Sequence, residues 1–154
     1  MLALVWVLVG IGLTAAMIFG GISLFDGRSS TQLQVKETTT AMFQALVGGY
    51  RSYRAANDTP VTTSNWSTEL VPHYVPELKV PVSGWTWTFN STGNPYFCLY
   101  GSMSRSAYEG VAAAAAEFSS SVFFVNTTAC GSNTNAVPGS YPATVYVNYY
   151  LVAP

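Results

Sequence analysis

The sequence predicts an α+β fold in which a long N-terminal helix packs against an antiparallel sheet. Three observations point there. A run without any charged side chain extends from Met1 to Phe25. Between 29 and 56, apolar residues recur at helical spacing. Beyond 85, short stretches alternate between apolar and polar residues and are separated by Gly, Pro, Asn and Ser.

Residues 1–28 form the first element, a hydrophobic N-terminal helix. The run MLALVWVLVGIGLTAAMIFGGISLF holds only Thr14 and Ser23 as polar side chains, and Asp26 and Arg28 end it. A helix rises about 1.5 Å per residue, so the run is long enough to cross a hydrocarbon layer of about 30 Å. Three readings compete. A secretory signal needs a basic leading region and a short apolar stretch; no Lys or Arg precedes this run, and it is longer than such a stretch. A permanent anchor usually carries flanking basic residues; here Arg28 stands close by, with Asp26 beside it. The favoured reading is a chain whose leader has been removed, with Met1 as the mature N-terminus. A bare apolar helix on a polar head cannot rest in water. It stays in a membrane, or it bundles with copies of itself.

In that reading Leu2, Leu4, Val5, Trp6, Leu8, Val9, Ile11, Leu13, Met17, Ile18, Phe19, Ile22, Leu24 and Phe25 pack a filament core. Gly10, Gly12, Gly20, Gly21 and Gly27 are expected points of flexibility, since each weakens a helix by about 1 kcal/mol against alanine. Gly10 and Gly12 equally suit close helix contact.

Residues 29–56 continue the rod as its amphipathic half. Val35, Met42, Phe43, Leu46, Val47, Tyr50 and Tyr53 make one sticky face, with Lys36, Glu37, Gln44 and Arg51 on the others. An unbroken rod from residue 1 to 55 would span about 80 Å. Asn57, Asp58 and Pro60 stop it, and residues 57–84 form a connector in which Pro72, Pro76 and Pro81 leave room for one or two short helical turns. Residues 85–154 supply the sheet. Trp85–Phe89 and Tyr96–Tyr100 read as a hairpin around the turn residues Asn90–Pro95. Ser104–Phe118 reads as an alanine-rich surface helix, Val122–Val125 as a strand, 126–142 as turn-rich, and Thr144–Val152 as the last strand.

The head, roughly 125 residues, is one domain with a modest core. Charged residues make up 8% of the chain, against about a quarter in ordinary soluble domains. Tyr, Ser and Thr are abundant instead. Such a surface is poor for colloidal solubility and suits a protein covered by its neighbours. Net charge is −1, with six Lys and Arg scattered singly, so no nucleic-acid patch is visible. The two cysteines, Cys98 and Cys130, are most simply a disulfide in an exported domain, closing a loop of roughly 30 residues worth about 3–4 kcal/mol of chain entropy. Two buried free thiols are the alternative. One histidine and no CxxC give no metal site, and no cofactor is implied.

The stretch FQALVGGYRSYRAAND followed by a proline, and HYVPELKVPVSGWTWTFNSTGNPYFCLY after it, resemble the helix end, loop and first hairpin of the type IV pilins and their pseudopilin relatives. The order of elements resembles that family over the whole chain. The resemblance implies the type IV pilin fold, a disulfide in the C-terminal region (the role Cys98 and Cys130 would fill) and a mature chain that begins directly with its apolar helix. It also implies partners: further copies in a helical homopolymer, the inner-membrane assembly machinery, and a host or recipient cell surface. One departure is plain. Most of the family carries glutamate at the fifth mature residue, thought to pair with a neighbour's terminal amine, and Val5 stands here. An unpaired buried ammonium costs several kcal/mol. Minor, tip-like members and archaeal relatives share the departure, and Met as first residue resembles the type IVb branch.

Sequons occur at Asn57, Asn65, Asn90 and Asn126, which marks these as candidate glycosylation acceptors on an exported surface.

Three functions follow as expectations. The first is a structural subunit of a cell-surface pilus, membrane-anchored before assembly, serving adhesion, cell–cell contact or conjugation. Each apolar helix would bury roughly 2,000 Å², a gross gain of tens of kcal/mol at about 25 cal/mol per Å² before entropy costs. The second is a minor or tip pilin, or a pseudopilin of a secretion machine. The third is a membrane-anchored module that stacks sugars on Trp66, Trp85, Trp87 and the Tyr-rich last strand; the plainer account of those aromatics is core or subunit contact. An enzyme is not expected. His73 stands alone, Glu109 and Glu117 are two turns apart on one helix face, as solvated charges often are, and no glycine-rich phosphate loop exists.

Overall fold

The computed structural model of the chain describes residues 27–152 and 154. The chain divides into two units between Ser30 and Thr31. The expected filament-core residues from Leu2 to Phe25, the Met1 terminus and Gly10, Gly12, Gly20 and Gly21 lie outside the described residues; Gly27 is helical. Among the described residues, no helix is long and apolar enough to cross a membrane.

Helix α1 runs Gly27–Ala56. Its apolar spacing does what the sequence implies: Val35, Met42, Phe43, Leu46, Val47 and Tyr53 are buried, and Tyr50 is partly so. Thr39 completes the same stripe, wholly buried, with its hydroxyl unpartnered. Arg54 in the last turn lies where the helix dipole favours a cation. The Asn57 backbone N–H still bonds the Tyr53 carbonyl at 2.9 Å. The connector then folds one short helix, α2 (Trp66–Leu70), which buries both of its end residues.

The sheet is antiparallel and four-stranded: β1 (Thr86–Asn90), β2 (Tyr96–Met103), β3 (Phe123–Asn126) and β4 (Ala143–Tyr150), in the order β1-β2-β4-β3. An α+β fold is therefore present. Strand β2 runs beyond the expected Tyr100. Its last residues stay paired with β4, Gly101 opposite Val145 and Met103 opposite Ala143. Gly101 matters here, because a Cβ would lie 2.5 Å from Trp85 Cδ1. Helix α3 (Arg105–Ala115) is capped by Ser104, whose Oγ accepts from Ala107 N at 3.3 Å. It ends before the expected Phe118 in a turn in which Glu117 N bonds Ala114 O. Gly110 brings α3 against α1, where a Cβ would meet Gln32 O at 2.6 Å.

Period-two alternation gives the sheet two faces. The inner face carries Trp87, Phe89, Phe97, Leu99, Phe123, Val125, Val145 and Val147, all buried. Phe43 of α1 presses into it, its ring 4.9 Å from Trp87, 5.1 Å from Phe123 and 6.0 Å from Tyr149. Such edge-to-face and offset contacts suit the ring quadrupole.

Candidate functional site

The outer face of the sheet is the candidate site. It carries Thr88 from β1, Tyr96, Cys98 and Tyr100 from β2, Phe124 and Asn126 from β3, and Tyr146, Asn148 and Tyr150 from β4. A strand face of that composition would normally meet solvent, yet Phe124, Asn126, Asn148 and Tyr150 are buried. The loop after β3 folds back across them at residues 130–132. Its anchor is covalent: Cys98 on β2 is joined to Cys130 in the loop, with Cα atoms 5.8 Å apart.

Polar side chains complete the clasp. Asn148, fully buried, accepts from Gly131 N at 2.9 Å and donates to Ser132 O at 3.2 Å. The Tyr150 hydroxyl donates to Gly131 O. Gly131 has φ +88° and sits so close to the Tyr96 hydroxyl that a Cβ would be 2.7 Å away, so both its conformation and its position call for glycine. Asn126 Oδ1 accepts from Thr128 N and Ala129 N, starting the turn. Further on, Asn135 Oδ1 accepts from Val125 N at 2.8 Å and Ala136 N donates to Val125 O at 2.9 Å, which covers the edge of β3. Burial raises the Tyr150 pKa, with Tyr96 adding to it; burial and Tyr141 do the same to Tyr108.

The result is a fixed loop whose outward groups, among them Thr127, Thr128, Asn133 and Thr134, are exposed hydroxyls and amides. Next to it, a shallow apolar pocket of about 260 Å³ lies under Tyr108, Ala112, Phe123, Asn135 and Val137. This surface can hydrogen-bond and pack.

Among the described residues no three His, Cys, Asp or Glu side chains come together as a metal site. His73 is exposed. Glu109 pairs with Arg105 at 3.9 Å, and Glu117 with Lys36 at 2.6 Å.

Trp66, Trp85 and Trp87 follow the plainer account of core residues: each is buried, and the indole N–H groups of Trp85 and Trp87 are spent on Ser102 O and Lys79 O. Asn126 is no accessible glycan acceptor in the folded domain, because β3 alternation sends it under the clasped loop at 0% exposure. The other sequon asparagines are partly exposed. Asn57 Nδ2 donates to Tyr53 O and the Tyr74 hydroxyl, and Asn90 Nδ2 to the Tyr96 hydroxyl. Asn65 takes up its Oδ1 with Thr62. Sequence reasoning missed the clasp itself. A turn-rich reading of 126–142 is what Ser, Thr, Asn and Gly dictate, and the visible signal of its anchoring was the cysteine pair.

No protein-family profile, curated protein sequence or solved structure matches the chain.

Proposed function

We propose that the chain is a structural subunit of a type IV pilus-like filament, with the type IV pilin fold, polymerising through residues 1–25 into a cell-surface fibre. The observation that carries this reading is one juxtaposition: a charge-free segment from Met1 to Phe25 leads into a helix, α1, whose far half is packed on an antiparallel sheet. The head is held by its own core. Copies of that segment bury one another, and the contact repeats by rotation and rise without closing. The disulfide agrees with an oxidising, exported setting. The clasped loop supplies a rigid outer coat.

Val5, where the resemblance implies glutamate, favours a second reading, a minor or tip subunit. Negative-stain microscopy of material sheared from the producing cell tests the proposal. Fibres whose dominant protein by mass spectrometry is this chain are expected. Fibres in which it is a trace component support the tip reading, and detergent-solubilised monomer with no fibres overturns both.

A further inference from the structure

The sheet covers one side of α1 and leaves a flank open. Two series of exposed residues alternate along it. Short side chains recur at Ala41, Gly48 and Ala55, and long polar ones at Glu37, Gln44 and Arg51. Within each series the step is one seven-residue repeat, so both stay on one seam of the helix. A Cβ built at Gly48 meets nothing within 4 Å, which confirms open space there. The seam's charge is graded: negative at Glu37, neutral at Gln44, positive at Arg51. Neither Glu37 nor Arg51 takes part in an ion pair among the described residues. Beside the negative end lies an open groove of about 330 Å³, lined by Leu33, Glu37, Thr40, Ala41, Gln44 and Glu117. Its one cation among the described residues, Lys36, is engaged by Glu117.

We propose that this flank receives α1 of a second copy, parallel to the first and displaced along the axis by two seven-residue repeats, about 21 Å at 1.5 Å per residue. The partner's Arg51 then enters the groove against Glu37, and the partner's Ala55 lies beside Ala41. The short residues let the rods approach, and the charge gradient sets the register. The proposal rests on the filament reading, which also fixes direction: copies whose leading segments share one bilayer or one filament core all point the same way. Exposed charge pairs add little affinity but reject wrong registers. Each copy offers its groove to one neighbour and its arginine to another, so the contact propagates.

The full-length chain carrying Ala41→Cys with Ala55→Cys, expressed in the fibre-producing cell, tests the register. Non-reducing gels of sheared fibres are expected to show a ladder of multimers, and each single-cysteine chain only monomer. Glu37→Arg alone should cut fibre yield roughly tenfold or more by setting like charges together, and adding Arg51→Glu should restore it. Intact fibres that give no ladder overturn this register and leave the filament reading standing. A discrete dimer from Ala41→Cys with Gly48→Cys overturns it in favour of antiparallel pairing. Absence of fibres from the unaltered chain overturns both.

Discussion

The two faces of the sheet are covered by different chemistry. The inner face is sealed by hydrocarbon: Phe43 and Leu46 of α1 cluster with Trp87, Leu99 and Val147. The outer face is sealed by a covalent bond and side-chain hydrogen bonds, from Cys98–Cys130 through Asn148 to Tyr150. Burial without direction suffices where a long helix offers a whole apolar stripe. A loop of Ser, Thr, Asn and Gly has no such stripe, so it is held point by point. The inner face therefore governs whether the domain folds, and the outer face governs what surface it shows. That division can be broken deliberately.

The largest effect belongs to the inner face. Phe43→Ala deletes a ring that touches β1, β3, β4 and Phe118 at once. A loss of about 4 kcal/mol is expected from transfer and cavity terms together. Urea unfolding followed by tryptophan fluorescence reads it, and a loss below about 1 kcal/mol would deny α1 its place as the main cover of the sheet.

Removing the outer face's covalent anchor comes next. Cys98→Ala with Cys130→Ala releases a loop whose ends are 32 residues apart in sequence. The chain-entropy cost is about 3–4 kcal/mol. Its signature differs from that of Phe43→Ala: amide exchange should quicken first at Val125, Gly131 and Ala136, while α1 and β2 keep their protection. If α1 loses protection to the same degree, the two faces are a single cooperative unit and the contrast drawn above fails.

The same contrast explains what could be read in advance. Apolar spacing from Val35 to Tyr53 and the alternation in Thr86–Phe89 are local patterns, so the helix, the strands and their buried face followed from them. The order β1-β2-β4-β3 did not, because the chain crosses over through α3, and no local pattern specifies which neighbour a strand finds. Trp85 and Trp87 show the limit for sites: an indole reads the same whether it stacks a ligand or fills a core, and only the accepting carbonyls of Ser102 and Lys79 decide. Asn126 fails likewise, since a sequon states nothing about which side of a strand it occupies. Asn148 and Gly131 were invisible for a related reason: their roles exist only once the loop has crossed the sheet.

The smallest test isolates one hydrogen bond of the clasp. Tyr150→Phe keeps the ring packing on Phe124 and Tyr96 but removes the hydroxyl that donates to Gly131 O. The expected loss is about 1 kcal/mol, raised somewhat by leaving a buried carbonyl unpaired. It also carries a pH signature. Burial and the neighbouring Tyr96 raise the Tyr150 pKa above the ordinary value of 10.0, so the folded state favours the protonated phenol. That contribution is fully present below the unfolded pKa and is lost as pH climbs through the folded one. Unaltered protein should lose stability above pH 10, beginning in the loop; Tyr150→Phe should lose less there, with the remainder left to Tyr108, whose pKa burial also raises. Denaturant midpoints taken across that alkaline range separate the two chains. Curves that stay parallel throughout would mean that the phenol does not hold the loop and that the disulfide and Asn148 suffice.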